Sequence, residues 1–164
     1  MKREVLNECR LSFPSLSVNE GYARAAAAAF AAQSDPTVRE ISEIKTAVSE
    51  AVTNAIVHGY RGCVGIVEIV MRQYAGGVFY ICVKDRGAGI QDVEQAMTPL
   101  FTTAPEEERS GLGFSVMESF MDRVSVKSAP GKGTSVTMEK RISVHTRGAE
   151  PDMQSDRDKL VSAT

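Results

Sequence analysis

The sequence has no tryptophan, only two histidines and three cysteines, and no long apolar run. Cys9, Cys63 and Cys82 are widely spaced and form no CxxC pair. Neither a disulfide framework nor a zinc site is therefore indicated. No run of about 18 apolar residues is present, and no apolar signal core follows the first residues. We expect a soluble, cytoplasmic protein that does not enter a membrane.

The chain also lacks a dominant charge. Its 164 residues include 19 basic and 21 acidic side chains, for a net charge of −2. That balance argues against direct binding to nucleic acid through net charge. The length suits one domain with a full hydrophobic core and is too short for two. The polar, aperiodic segment from Arg147 predicts a disordered tail over 147–164, after a domain over 1–146.

Hydrophobic periodicity and turn residues predict the order strand, helix, helix, strand, strand, loop, helix, strand, strand. Glycine-rich turns at 75–77 and 130–133 indicate two hairpins. Ser17 and Glu20 have the spacing of a capping box at the first helix. Asp35, followed by Pro36, is predicted to cap the second helix. The pattern predicts an α+β fold, a two-layer α/β sandwich with helices on one face of a mixed, mostly antiparallel sheet.

The most informative stretch is the end of the second predicted helix, near Gly59. Glu50, Asn54 and His58 are spaced four residues apart. On an α-helix they fall within about 80° of one another and share one polar stripe. The opposite stripe is apolar and is expected to face the core. By itself this spacing is more typical of a solvated helix face than of a site.

Three later segments carry groups that suit a nucleotide. Asp85 ends a predicted strand and precedes Gly87 and Gly89, where the backbone can approach a ligand closely. A carboxylate in such a loop can accept a hydrogen bond from an exocyclic amine, as in adenine. Residues 109–113 begin a helix, whose free N–H groups favour phosphate. Thr134 begins a late strand. Each segment alone is also typical of an ordinary turn.

In this order, the segments resemble the nucleotide-binding boxes of the GHKL ATPase/kinase superfamily, which has a Bergerat-type ATP-binding fold. No GxxxxGK[ST] phosphate loop is present. The similarity covers residues 5–142 and is specific to the anti-sigma serine kinases of spore-forming bacteria. The runs that carry it are 43–46, 48–56, 58–60, 99–103 and 108–114.

The resemblance implies an enzyme that is also a switch. Such a protein binds ATP or ADP with Mg²⁺, holds a sporulation sigma factor away from RNA polymerase, and phosphorylates a serine of an anti-anti-sigma factor. It also implies a homodimer. Two alternatives remain open, a serine kinase of the general-stress anti-sigma type and a nucleotide-dependent anti-sigma binding module with little kinase activity.

The same resemblance gives the matching residues their expected roles. Glu50 would be the general base, and Arg109 would face the γ-phosphate. Asn54 would hold Mg²⁺, and Asp85 would accept a hydrogen bond from the adenine amine. Arg24 matches an arginine on the partner-binding surface. The other expected nucleotide contacts are Gly87, Gly89, Thr102, Thr103, Ser110, Gly111, Leu112, Gly113 and Thr134.

Overall fold

The computed structural model describes residues 3–98 and 112–143. The strands are β1 (Val5–Pro14), β2 (Ile66–Tyr74), β3 (Val78–Lys84), β4 (Arg123–Ser128) and β5 (Thr134–Arg141). The helices are α1 (Val18–Ala31), α2 (Val38–Asn54), α3 (Val93–Met97) and α4 (Gly113–Phe120), with a 3₁₀ turn at Ala32–Ser34 and a π turn at Ala55–Gly59. The predicted boundary between a domain over 1–146 and a tail over 147–164 lies outside the described residues.

The five strands form one sheet in the order β1-β2-β3-β5-β4. Every pairing among the described strands is antiparallel, whereas the prediction allowed a mixed sheet. Tight turns join β2 to β3 and β4 to β5, which is possible only between antiparallel strands. The predicted α+β class is confirmed. In the described part of the chain, no helix is long and apolar enough to cross a membrane.

The core lies between the sheet and the helices. On α2, the predicted apolar stripe is confirmed, because Ile44, Val48 and Val52 have no exposed surface. Alternate residues of β2 are buried in the same cluster, as expected for a strand with one face towards the core. The opposite, polar stripe of α2 is thereby held at the edge of the core, where it can face a ligand.

The start of α1 differs from its predicted cap. Ser17 has helical dihedral angles, and its side chain makes no capping hydrogen bond. Glu20, the predicted partner, instead accepts a hydrogen bond from the hydroxyl of Ser49 on α2. The capping-box prediction was wrong here because a contact between helices occupies the carboxylate.

The start of α2 is capped by Thr37 rather than by Asp35. The Thr37 hydroxyl accepts from the Glu40 N–H at 3.1 Å, and the Glu40 carboxylate accepts from the Thr37 N–H at 2.7 Å. The N–H and hydroxyl of Ser143 also donate to Glu40, at 2.9 and 2.8 Å. Burial raises the pKa of Glu40, but these hydrogen bonds outweigh it and lower the pKa to about 2.

Replacing Glu40 with Ala is expected to reduce the free energy of unfolding by about 2 kcal/mol, because the N–H groups of Thr37 and Ser143 lose their acceptor. Since the folded pKa is lowered, this contribution is complete above the ordinary pKa of about 4.5 and is lost as pH falls towards 2. Urea unfolding at neutral pH and in this acid range measures both effects. Glu118→Ala, at an exposed position of α4, is the control. Equal stability of Glu40→Ala and the wild type at neutral pH would contradict the prediction.

Candidate functional site

A cavity of about 1160 Å³ lies between the polar stripe of α2, the loop after β3 and the start of α4. It slightly exceeds the range of about 300–1,000 Å³ that is usual for ligand pockets. Distant parts of the chain meet here. The predicted site residues that line the cavity are Glu50, Asn54, Asp85, Gly89, Leu112, Gly113 and Thr134.

The other predicted site residues are not in this lining. Gly87 and Arg24 are absent from the described residues that face the cavity. Gly87 packs against the backbone of Gly59, and Arg24 lies on α1. The remaining predicted residues lie outside the described part of the chain, and their roles stay predictions. They are Thr102, Thr103, Arg109, Ser110 and Gly111.

The start of α4 approaches the polar stripe of α2 closely. A Cβ added to Gly113 would lie 3.1 Å from Oε2 of Glu50 and 3.3 Å from Nδ2 of Asn54. The absence of a side chain at Gly113 therefore allows α4 to pack closely against α2. No side chain of the described residues caps the N-terminus of α4. Its free N–H groups and the positive end of the helix dipole suit an anionic group such as phosphate.

Asp85, which follows β3, also lines the cavity and is 7% exposed. Its N–H donates to the Thr134 carbonyl at 2.9 Å, which joins the end of β3 to the start of β5. Burial raises the pKa of its carboxyl group, while hydrogen bonds from the backbone of Gly87 and Thr134 oppose that rise. Val83 and Val136 also line the cavity. A carboxylate beside apolar side chains suits a flat base that carries an amine.

The glycines after Asp85 allow the loop to dock on the end of the helix. A Cβ on Gly87 would overlap the carbonyl of Gly59, and the same carbonyl accepts the N–H of Ala88 at 2.8 Å. Gly89 has a φ of 73°, in the left-handed region that favours glycine. Gly87 therefore allows the loop after β3 to pack against the π turn, and Gly89 allows the loop to turn beside the cavity.

Comparisons with known proteins agree with this geometry. Residues 13–140 match the family described as "Histidine kinase-like ATPase domain". The chain is 56% identical over 139 residues to a protein of Thermoanaerobacter sp. (strain X514) named "Anti-sigma F factor", covering 85% of this chain and 96% of the relative. The chain belongs to the anti-sigma F factor family. A family member from Bacillus subtilis (strain 168) is 53% identical over 138 residues, covering 84% of this chain and 94% of the relative.

The fold is also found in a solved structure. The RsbU and RsbW domains of a Mycobacterium tuberculosis protein superpose with a TM-score of 0.61 at 21% identity. The match covers 83% of this chain and 32% of that longer chain. This match shows the fold alone. The family model and the relatives above confirm the predicted resemblance to anti-sigma GHKL proteins.

One wall of the cavity was missed by the sequence analysis. Residues 90–96, including the first turn of α3, also line the cavity. Asp92 caps this short helix by accepting the N–H of Gln95 at 2.9 Å. Nothing in the composition of the segment indicates a site. The only feature of the sequence that could have indicated this wall is the position of the segment, between the glycines after Asp85 and those at 111–113.

The residues present fit a magnesium ion that is shared with phosphate. A histidine kinase-like ATPase domain implies nucleotide binding, typically with Mg²⁺. Within residues 3–98 and 112–143, no group of three or more His, Cys, Asp or Glu could form a metal site from protein ligands alone. Asn54 does bring its amide oxygen to the N-terminus of α4, where it lies 3.5 Å from a Cβ added to Gly113. Mg²⁺ is commonly bound by one or two such oxygens together with substrate phosphates.

Proposed function

We propose that the chain is an anti-sigma factor that binds the sporulation factor sigma-F and prevents its use by RNA polymerase. It is also a Mg²⁺- and ATP-dependent serine kinase that phosphorylates and inactivates an anti-anti-sigma factor. Relatives at 52–56% identity that are named "Anti-sigma F factor" support the first role. The kinase-like ATPase family supports the second. Unphosphorylated anti-anti-sigma factor would compete for the complex and free sigma-F.

The meeting of Glu50, Asn54 and the N-terminus of α4 in one cavity carries the kinase proposal. Phosphoryl transfer mainly requires positioning and neutralisation of charge. Glu50 would accept the proton of the substrate serine as its hydroxyl attacks. Asn54 would hold Mg²⁺, which supplies positive charge to the phosphates. The roles of Arg109 and of the other predicted contacts at 102–111 rest on the resemblance.

The surroundings of Asp85 support ATP or ADP as the nucleotide. Asp85 would accept a hydrogen bond from the adenine amine, with Val83 and Val136 beside the base. Thr134 would contact the nucleotide close to the base. A homodimer is also part of the proposal, because β1 is a ten-residue strand at the edge of the described sheet. Such an edge offers backbone hydrogen-bonding groups to a second copy.

Labelled ATP, Mg²⁺ and the cognate anti-anti-sigma protein test the function directly. Serine labelling, together with nucleotide-dependent retention of sigma-F, is the expected result. Retention of sigma-F without labelling would replace the kinase with a nucleotide-dependent binding module. Labelling confined to a general-stress anti-anti-sigma protein would identify the other kinase branch.

Arg24→Glu is expected to weaken binding of sigma-F and of the anti-anti-sigma factor by about tenfold or more, because it reverses a charge on the proposed partner surface. The Arg24 side chain is 44% exposed and lies 3.8 Å from Glu20. Arg39→Glu is the matched control, since Arg39 is also a helical arginine paired with a glutamate four residues away. Surface plasmon resonance measures partner affinity, and calorimetry with ADP verifies the nucleotide site. Wild-type affinity of Arg24→Glu for both partners would exclude Arg24 from the binding surface.

A further inference from the structure

Tyr60 is a buried residue at the end of the π turn, with 8% of its surface exposed. Its hydroxyl donates a hydrogen bond to the Ile66 carbonyl at 2.6 Å. The same hydroxyl accepts a hydrogen bond from the Arg86 N–H at 2.8 Å. The side chain therefore connects the end of the helix to β2 and to the loop after β3.

This hydroxyl lies where the β2–β3 ladder would otherwise continue. The register pairs Glu68 with Lys84. If the pairing continued for two more residues, Ile66 would lie opposite Arg86. Tyr60 bonds to one backbone group of each of these two residues. Tyr60 thereby gives both backbone groups a partner at the point where the chain after Lys84 leaves β2.

The position of the Tyr60 ring is fixed by close packing. A Cβ on Gly65 would overlap the ring of Tyr60, so a larger residue there would displace it. The ring is thus held between the helix end and the start of β2. Its hydroxyl is a rigid anchor for the backbone of Arg86, since a Tyr side chain has few rotatable bonds.

Asp85 lies between that anchor and a second one. On one side its own N–H donates to the Thr134 carbonyl at 2.9 Å, and on the other side the next residue, Arg86, donates to Tyr60. Its carboxyl group also lies against the helix end, because a Cβ on Gly59 would be 2.9 Å from Oδ1 of Asp85. Movement of the Arg86 backbone would therefore move the carboxylate that faces the cavity.

We propose that Tyr60 is a positioning residue that sets the base specificity of the site, by holding Asp85 where it accepts the amine of adenine. Tyr60 is not among the described residues that line the cavity, so it acts through Asp85. This inference rests on the proposed nucleotide function. It goes beyond that function by naming the residue on which discrimination between bases depends.

Tyr60→Phe tests the proposal because it removes the hydroxyl and keeps the ring that packs on Gly65. The affinities of ADP and of inosine diphosphate, whose base has a carbonyl in place of the amine, are measured by calorimetry. We expect the preference for ADP to fall by about five- to tenfold, the equivalent of one hydrogen bond. Affinity for inosine diphosphate should change by less than about twofold, since no amine is present to be read. Tyr22→Phe, at an exposed position of α1, is the control.

Arg86→Pro provides a second variant, because it removes the N–H that donates to Tyr60 and leaves the ring intact. Arg86→Ala, which keeps that N–H, is its control. We expect Arg86→Pro to lower the preference for ADP as Tyr60→Phe does, with no further loss when the two are combined. If Tyr60→Phe does not fold, retention of the preference by Arg86→Pro still overturns the proposal, because proline removes this hydrogen bond and also restricts the backbone of Asp85.

The outcomes separate this proposal from the function on which it rests. If the wild type does not prefer ADP over inosine diphosphate, or if Asp85→Ala keeps the preference, the proposed hydrogen bond from adenine to Asp85 is wrong. If Asp85→Ala removes the preference while Tyr60→Phe or Arg86→Pro retains it, only the role of Tyr60 is overturned. Equal weakening of both nucleotides by Tyr60→Phe would indicate a purely structural residue and would also overturn it.

Discussion

Replacing Glu50 with Gln is expected to reduce serine phosphorylation by about 10²- to 10⁴-fold, the range that a general base contributes. Glutamine has nearly the same shape, but its amide cannot take the proton of the attacking hydroxyl. The substitution should therefore fit beside Gly113, whose added Cβ would lie 3.1 Å from the carboxylate. We expect affinities for ADP and sigma-F to stay within about threefold of wild type, because the proton transfer contributes to neither.

Single-turnover transfer from labelled ATP, at saturating nucleotide and substrate, measures this effect. Glu94→Gln is the matched control, since Glu94 lines the same cavity from α3 and no role in transfer is proposed for it. Both variants remove one negative charge from the cavity. A lower transfer rate of Glu50→Gln alone would therefore reflect a specific role of Glu50 and not the loss of charge. A Glu50→Gln rate above about a tenth of wild type would be too fast for loss of the base. Parallel loss of ADP affinity would assign Glu50 to binding instead.

The same variant separates the two proposed activities. A protein that retains sigma-F but cannot phosphorylate the anti-anti-sigma factor would be displaced by its antagonist and could not inactivate it. Sigma-F should then be released at lower concentrations of the anti-anti-sigma factor than with the wild type. If Glu50→Gln is displaced no more readily than the wild type, phosphorylation is not what limits release.

The sequence predicted those features of the fold that depend on neighbouring residues. Glycine turns and alternating side chains gave both hairpins, and the 3.6-residue period gave the buried stripe of α2. The cap at Ser17 was predicted wrongly because Glu20 bonds to Ser49, 29 residues away. No local pattern contains that contact, so propensity could not have revealed it.

The site was predicted to a similar extent. The order of the motifs and their resemblance to a known family predicted site roles for Glu50, Asn54 and Asp85, and all three line the cavity. The π turn at Ala55–Gly59 was not predicted, since the sequence continues the α-helical pattern through it. The loop after β3 docks on this turn through the Gly59 carbonyl, and π turns are frequent at functional sites. Such packing between distant segments cannot be seen in a single sequence.

Gly87→Ala is expected to weaken ADP binding by about 30- to 100-fold, the equivalent of 2–3 kcal/mol, and to lower the melting temperature. The added Cβ would overlap the carbonyl of Gly59, which is a backbone group and cannot rotate away as a side chain can. That carbonyl also accepts the N–H of Ala88 at 2.8 Å. The loop must therefore move away from the helix end and carry Asp85 with it.

Gly21→Ala is the matched control for Gly87→Ala, because a Cβ added to Gly21 would come no closer than 4.0 Å to Arg24. Gly21 lies on α1, and in a helix alanine is favoured over glycine by about 1 kcal/mol. The control should therefore keep ADP affinity and raise the melting temperature slightly. Calorimetry with ADP and thermal unfolding measure both variants. Because Gly87 is not among the described residues that line the cavity, we expect a loss of affinity to arise from displacement of Asp85. Wild-type affinity in a folded Gly87→Ala protein would mean that the position of this loop does not control the site.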